Sequence, residues 1–396
     1  MSVPNSLNRL SEVRLPAFES LLAELVAIPS VSSPSSDWDQ ENLPVINLLA
    51  DWFSDLGFQV EVQTIPGHKG KANLIATLGA GSHGLVLAGH TDTVPYDEPR
   101  WTTDPFKLVE IDQRFYGLGT CDMKGFFPII IEALRAMEGA VLCQPLIILA
   151  TADEESSMSG ARALAKAGAI HGRAAIIGEP TSIQPIRMHK GIMMESIRVT
   201  GQSGHSSNPA LGKSAMEVMI EMIAELLQFR DQIKKTNQNE LFEVSFPTLN
   251  LGRIHGGDSP NRICGHCELS FDLRPLPGMN TRELRENLSG IVHRIAKKRQ
   301  VDVRFEPLIE TVEPFETLAT SELVRSCEQL TGRPASAVAF ATEAPFLSSM
   351  GFETVVMGAG SIDQAHQPDE FLALNQITPM STVLSGLIDK YCVQPC

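Results

Sequence analysis

The run Ile147 to Ala152 is short and apolar, and it delivers three carboxylates in succession, Asp153, Glu154 and Glu155. A run of that length bounded by polar residues reads as a buried strand, so the carboxylates sit just past its carboxyl end, where open α/β sheets place ligands. Adjacent carboxylates repel and burial raises their pKa, so such a cluster needs cations or solvent to stay charged. An acidic surface turn is the plain alternative. Related arrangements recur along the chain. The strand Leu85 to Ala88 runs into Gly89-His90-Thr91-Asp92, where residues two apart share a face and the Asp92 carboxylate can hold the His90 ring. Tyr116 to Gly125 is a Gly-rich turn entering a helix, and its glycines fit neither dinucleotide nor phosphate-loop spacing. That leaves Asp122 as a bridge between two cations or as a helix cap. Ala174 to Ile177 ends in Gly178-Glu179-Pro180, and Gly358 to Asp369 brings His366 in after a further strand.

Imidazoles and carboxylates in this ratio suit zinc or cobalt without thiolates. HExxH is absent, so a helix-borne zinc site is not expected. A pair of ions sharing one carboxylate would leave Glu154 over as a base. Two competing chemistries fit less well. Gly201-Gln202-Ser203-Gly204-His205 lacks the closing glycine of a serine-hydrolase elbow. Cys264-Gly265-His266-Cys267 has the form of a redox motif, but Glu268 to Arg274 after it alternates like a strand instead of opening a helix.

The elements that must position these residues fall into two patterns. Helical spacing over 15–28 and 42–57 is followed by strands at Phe58 to Ile65, Ala72 to Leu78 and Leu85 to Ala88. A helix from Lys124 through Met137, a strand at Leu146 to Ala150, a helix at Gly160 to Ala167 and a strand at Ala174 to Ile177 continue an α/β alternation. Between about 190 and 306 the order becomes strand Met193 to Thr200, helix Lys213 to Arg230, strands Thr248 to Ile254 and Cys264 to Arg274, helix Thr281 to Lys298 and strand Val301 to Phe305. That is the βαββαβ order of ferredoxin-like domains. The α/β pattern resumes with a helix over 320–330, strands Ala337 to Phe340 and Thr354 to Val356, and a helix over 377–391. The fold expected is a mixed, largely parallel sheet flanked by helices, residues 1–190 and 307–396, interrupted by an inserted domain over 191–306.

A chain of 396 residues suits two or three domains, and 43% hydrophobic with 20% charged residues is ordinary globular composition. A net charge of −15 argues against nucleic acid and anionic membranes as partners. Met1 to Arg14 is polar and reads as neither signal peptide nor membrane span, and the seven scattered cysteines suggest no disulfide framework. A cytoplasmic protein is the expectation.

Over nearly its whole length the chain resembles the M20 family of dizinc amidohydrolases and peptidases. The matching stretches are Leu87 to Pro95, Gly117 to Gly125, Ala150 to Glu155, Ile177 to Thr181, Gly201 to Ser207, Thr342 to Phe346 and Gln364 to Asp369. The resemblance implies two divalent ions per subunit, zinc with cobalt able to substitute. It implies one metal on His90 and Glu179, the other on Glu155 and His366, and Asp122 bridging both. Glu154 matches the general base, Asp92 the partner of His90, and a cis peptide follows Asp122. His205, which on residues alone reads as a plain turn histidine, would complete the active site of the partner subunit in a homodimer formed through the inserted lid. Asn261, Arg274 and Thr342 match substrate-binding positions, with the Arg274 fork suited to a carboxylate. The activity implied is hydrolysis of the acetyl amide of N2-acetyl-L-ornithine to L-ornithine and acetate. Succinyl-diaminopimelate desuccinylase and dipeptidase activities use the same ligands, and a silent amino-acid-binding relative is the non-enzyme alternative. Asp153 has no separate role in this reading.

Overall fold

The computed structural model describes residues 8–393 apart from residues 11, 97 and 169, so part of the polar stretch Met1 to Arg14 lies outside the described residues. The described chain divides into two compact units. One runs up to Arg187 and takes up again over Thr317–Ser336 and from Thr342; the other is Met188–Glu316 with Ala337–Ala341.

In the first unit, strands Leu85–His90, Leu146–Thr151 and Ala174–Pro180 are buried along their whole length. Near-continuous apolar strands of this kind require cover on both faces, which is how parallel strands are packed. Leu146–Thr151 pairs in parallel with Leu85–His90, which pairs in parallel with Ala174–Pro180, and Glu353–Gly358 extends the parallel set beyond that. On the other side Ala72–Leu78 pairs antiparallel with Leu146–Thr151, and Gln59–Thr64 antiparallel with Ala72–Leu78. The parallel strands therefore point their carboxyl ends the same way and deliver His90, the Asp153 turn and Glu179 to one edge. Helix Phe126–Arg135 forms without a side-chain cap and is held by burial of nearly all its apolar residues, packing on the final helix Ile377–Ile388. Strands Val109–Ile111, Arg114–Tyr116 and Phe371–Ala373, none of them expected, make a small separate antiparallel sheet.

The second unit has strands Met193–Thr200, Thr248–Gly256, His266–Arg274 and Asp302–Pro307 in one antiparallel sheet, with Met193–Thr200 and His266–Arg274 central. Two helices pack on it. Ala215–Thr236 is capped by the Ser214 hydroxyl, which accepts from the Glu217 amide, and Thr281–Arg299 by Asn280, which accepts from Glu283. Cys267, Leu269, Phe271 and Leu273 alternate inward along their strand. Cys264 and Cys267 are buried free thiols, and burial pushes the Cys267 thiol up, away from the reactive range. Most expected elements stand within a few residues of the positions read from sequence. The helix expected over Lys213 to Arg230 runs on to Thr236, and the strand expected at Ala337 to Phe340 is Ser336–Val338. Among the described residues no helix is long and apolar enough to cross a membrane.

Candidate metal centre

His90 ends its strand wholly enclosed. Its Nδ1 lies 2.9 Å from the Asp92 carbonyl oxygen, which fixes the ring and turns Nε2 toward Asp122 Oδ1 at 3.0 Å. The Asp92 carboxylate, expected to hold this ring, is 3.7 Å from Nδ1 and is engaged elsewhere. It accepts from the amides of Glu154 at 3.2 Å and Glu155 at 3.0 Å. Asp92 thus organises the acidic turn and the imidazole from one position.

Within that turn Asp153 has a purpose that its sequence context conceals. Its backbone is left-handed, with φ 56°, a conformation aspartate tolerates better than most residues. Its buried carboxylate accepts from Lys71 Nζ at 2.6 Å and from the Ser32 and Ser159 hydroxyls, each at 3.0 Å. Asp153 is committed to Lys71, which leaves Glu154 and Glu155 to the site.

Asp122 arrives on the Gly117 to Cys121 loop, where Gly119 has φ +80° and the Asp122–Met123 peptide is cis. One carboxylate oxygen faces His90 at 3.0 Å; the other is 3.7 Å from His366 Nε2. His366 Nε2 also lies 3.0 Å from Glu155 Oε2, and His90 Nε2 lies 4.0 Å from Glu179 Oε1. The ligand atoms of His90, Glu154 and Glu179 fall within 4.8 Å of one another, as do those of His90, Asp122 and Glu155. The five expected ligands and Glu154 are therefore gathered at one edge of one sheet.

The electrostatics fit cations. Burial, and after it the charge of Asp122, pushes the Glu179 carboxyl well above the usual range; burial and Glu179 do the same to Glu154. Hydrogen bonding to Glu155 raises His366 to about 9. Burial opposes a charged His90 ring, yet the bond to Asp122 and the surrounding carboxylates hold it well above the ordinary imidazole value. Protons on two imidazoles thus offset part of the carboxylate charge, and divalent ions seated among the same atoms would replace those protons.

Other buried ionisable groups support this edge without having been singled out from sequence. The Glu370 carboxylate accepts from the amides of Gly119, Cys121 and Asp122, and burial pushes it up to about 8. Lys124 donates to the carbonyls of Leu25 and Ile28, and burial pulls it down to about 7. Glu343 accepts from the Thr151 hydroxyl at 2.9 Å, and burial pushes it up to about 7. Their signal is weak in sequence: each sits in a loop or at a helix start, outside any hydrophobic period.

The remaining expected residues stand as follows. Thr342 is fully enclosed, its hydroxyl accepting from the Ala344 amide at 3.1 Å, so it does not line an open surface here. His205, Asn261 and Arg274 belong to the second unit. His205 is exposed with Nδ1 2.7 Å from the Ser207 hydroxyl, Asn261 accepts from the Ser259 hydroxyl at 2.6 Å, and Arg274 Nε donates to Asp272 at 2.7 Å.

A model of peptidase family M20/M25/M40 matches residues 86–390. The chain is 51% identical over 379 residues to an acetylornithine deacetylase from Edwardsiella ictaluri (strain 93-146), a match covering 96% of this chain and 99% of that one. Among solved structures it is similar to the aminopeptidase PepT of Bacillus cereus ATCC 10987, with a TM-score of 0.74, 20% identity and coverage of 94% and 98%. It is also similar to the Bacillus subtilis YXEP protein, described as a dinuclear metal binding peptidase, with a TM-score of 0.67, 15% identity and coverage of 94% and 96%.

Proposed function

Because the chain belongs to the peptidase family M20/M25/M40, we propose that it hydrolyses the acetyl amide of N2-acetyl-L-ornithine, releasing L-ornithine and acetate, at a pair of divalent ions. The observation that carries the reading is the split of Asp122, one oxygen toward His90 and the other toward His366. A carboxylate so divided suits two cations, with His90 and Glu179 around one and Glu155 and His366 around the other. The preference for this substrate over a succinylated amine or a dipeptide follows the likeness to the acetylornithine deacetylase.

Two divalent ions held by His90, Glu179, Asp122, Glu155 and His366 would supply Lewis acidity and lower the pKa of a bound water. The nitrogen and oxygen donor set suits zinc, with cobalt as a substitute. Glu154 accepts a proton from the water that attacks the acetyl carbonyl and returns it to the amine nitrogen as the carbon–nitrogen bond breaks. Asp92 keeps His90 and the two glutamates in register. Asn261 and Arg274 are assigned to holding substrate. In a homodimer His205 of the partner subunit steadies the carbonyl oxygen. Support for the dimer comes from the edge strand Thr248–Gly256, which has one neighbour and exposes Ile254, and from exposed Met216 and Ile220 on helix Ala215–Thr236. A cytoplasmic location is in keeping with the free cysteines of the described residues.

The deciding experiment is Glu154→Gln. It should retain both metals and lose at least about 10²-fold in turnover of acetylornithine. Turnover near the parent value would remove Glu154 from its role, and faster release from succinylated amines or dipeptides by the parent enzyme would move the substrate assignment.

A further inference from the structure

Two loops distant in sequence are brought together by the small sheet. Phe371 pairs with Tyr116 and Leu372 with Phe115, so the turn His366 to Glu370 and the loop Gly117 to Asp122 leave neighbouring strands at the same level. The Gly117 amide then donates to the Glu370 carbonyl at 3.1 Å, continuing the contact past the strand ends. Beyond it the buried Glu370 side chain takes the amides of Gly119 at 3.0 Å, Cys121 at 2.7 Å and Asp122 at 2.9 Å. A single carboxylate accepting three amides on one short loop leaves that loop little freedom.

The other side of the connection is equally constrained. His366 and Asp369 both have left-handed backbones, with φ 59° and 55°, which non-glycine residues adopt only where surroundings hold them. Asp369 supplies part of that hold by accepting from the Thr102 amide and hydroxyl, each at 2.8 Å, and from the Thr103 amide at 3.3 Å. The turn is thus anchored twice, and it carries His366 toward Glu155 and Glu370 toward the Asp122 amide.

We infer that Glu370 is a positioning residue for the metal pair: by clamping the Gly119 to Asp122 backbone to the turn that carries His366, it sets the Asp122 carboxylate between the two metal positions. This rests on the reading of Asp122 as the bridging ligand. Glu370 belongs to neither group of converging ligand atoms at the metal centre. Its effect is on the geometry of a ligand, so it differs from general stabilisation in what its loss alters.

The test is Co2+ binding to metal-free protein, read by calorimetry and by visible absorption, for the parent, Glu370→Gln and Asp122→Asn. Gln keeps the size of the side chain but turns one acceptor into a donor facing a backbone N–H. Glu370→Gln should weaken Co2+ binding about 10–100-fold and alter the absorption of the loaded protein, as loss of partners behind metal ligands commonly does. Its metal-free melting temperature should fall by a few degrees, since a buried donor then faces a donor, so binding is read well below that temperature, where the variant is folded; kcat should fall with KM within about twofold. Parent-like Co2+ affinity and spectrum in Glu370→Gln, with Asp122→Asn impaired, would overturn the clamp and leave the bridge standing. Parent-like binding by Asp122→Asn would instead overturn the bridge itself. If Glu370→Gln does not fold, Glu370→Asp takes its place: the shorter carboxylate keeps its charge but draws back from the amides. It should weaken Co2+ binding, and unchanged affinity would overturn the inference.

Discussion

Replacing Lys71 with methionine isolates what Asp153 does for the two glutamates after it. The Lys71 ammonium is 3% exposed and lies 2.6 Å from Asp153 Oδ1 and 2.8 Å from Asp39 Oδ1. Burial pulls the ammonium down, but the bonds to Asp153 and Asp39 hold it above the ordinary lysine value. A base whose folded pKa is raised contributes fully below its ordinary value and loses that contribution only as pH climbs through the raised one, so the whole effect is present at neutral pH. Methionine keeps much of the packing of the stem and strips Asp153 of its counter-charge. The carboxylate is then left with the Ser32 and Ser159 hydroxyls and with His68 at 3.7 Å. Breaking a buried pair on one side costs about 3–5 kcal/mol, and the two remaining hydroxyls put the expectation at the low end, about 3 kcal/mol.

The assay is urea unfolding of the metal-free protein for Lys71→Met, Asp153→Asn and the double variant. In the double variant no buried charge is stranded, because the Asp39 carboxylate that also loses Lys71 is partly exposed to solvent, so it should recover at least about half of the loss of the lysine variant. Because the Asp153 turn sets Glu154 and Glu155 against the Asp92 carboxylate, kcat of Lys71→Met should fall more than KM rises. A single-variant loss below about 1 kcal/mol, or a double variant no more stable than Lys71→Met, would refute the account of Asp153 as the anchor of the turn.

Two further outcomes follow from other parts of the molecule. Burial pulls His189 from an ordinary 6.5 to about 4; the unfolded chain therefore binds the extra proton between those values, and stability should fall by roughly 3 kcal/mol as pH drops through that window. In His189→Gln the urea midpoint should lose that part of its pH slope, and an unchanged slope would show that other groups set it. Mixing His205→Ala with Glu154→Gln should restore partial activity if His205 serves the neighbouring copy, whereas no recovery after subunit exchange would confine each site to one chain.

What is legible in the sequence follows from which residues are covered on both sides. Leu85–His90, Leu146–Thr151 and Ala174–Pro180 are unbroken apolar runs because the sheet is enclosed, so their ends, and with them His90, Glu154 and Glu179, can be found by reading where the runs stop. The alternation in His266–Arg274 reveals a strand packed on one side, and it correctly sets Cys267 in a core instead of at a helix start. Val109–Ile111, Arg114–Tyr116 and Phe371–Ala373 are too short to show a period. They nevertheless decide which two loops meet, so Glu370 is invisible until register is known. The Asp92 carboxylate is the opposite case: its sequence spacing to His90 suggests a ring partner, but two backbone amides of a turn far along the chain compete for the same oxygens and hold them.

The acidic triplet illustrates how neighbouring carboxylates become compatible. Repulsion among Asp153, Glu154 and Glu155 would be severe if all three faced one low-dielectric space. The left-handed backbone at Asp153 turns its side chain to Lys71, and Glu155 meets His366. Each of those two has its own positive partner within 3.0 Å, while Glu154 has none so close among the described residues, and burial and the charge of Glu179 outweigh the opposing charge of His90. A carboxylate left in that position is drawn toward holding a proton, and an adjacent cation pair would lower that preference. Those opposing pulls act on the one group that must accept a proton from water and then give it to an amine.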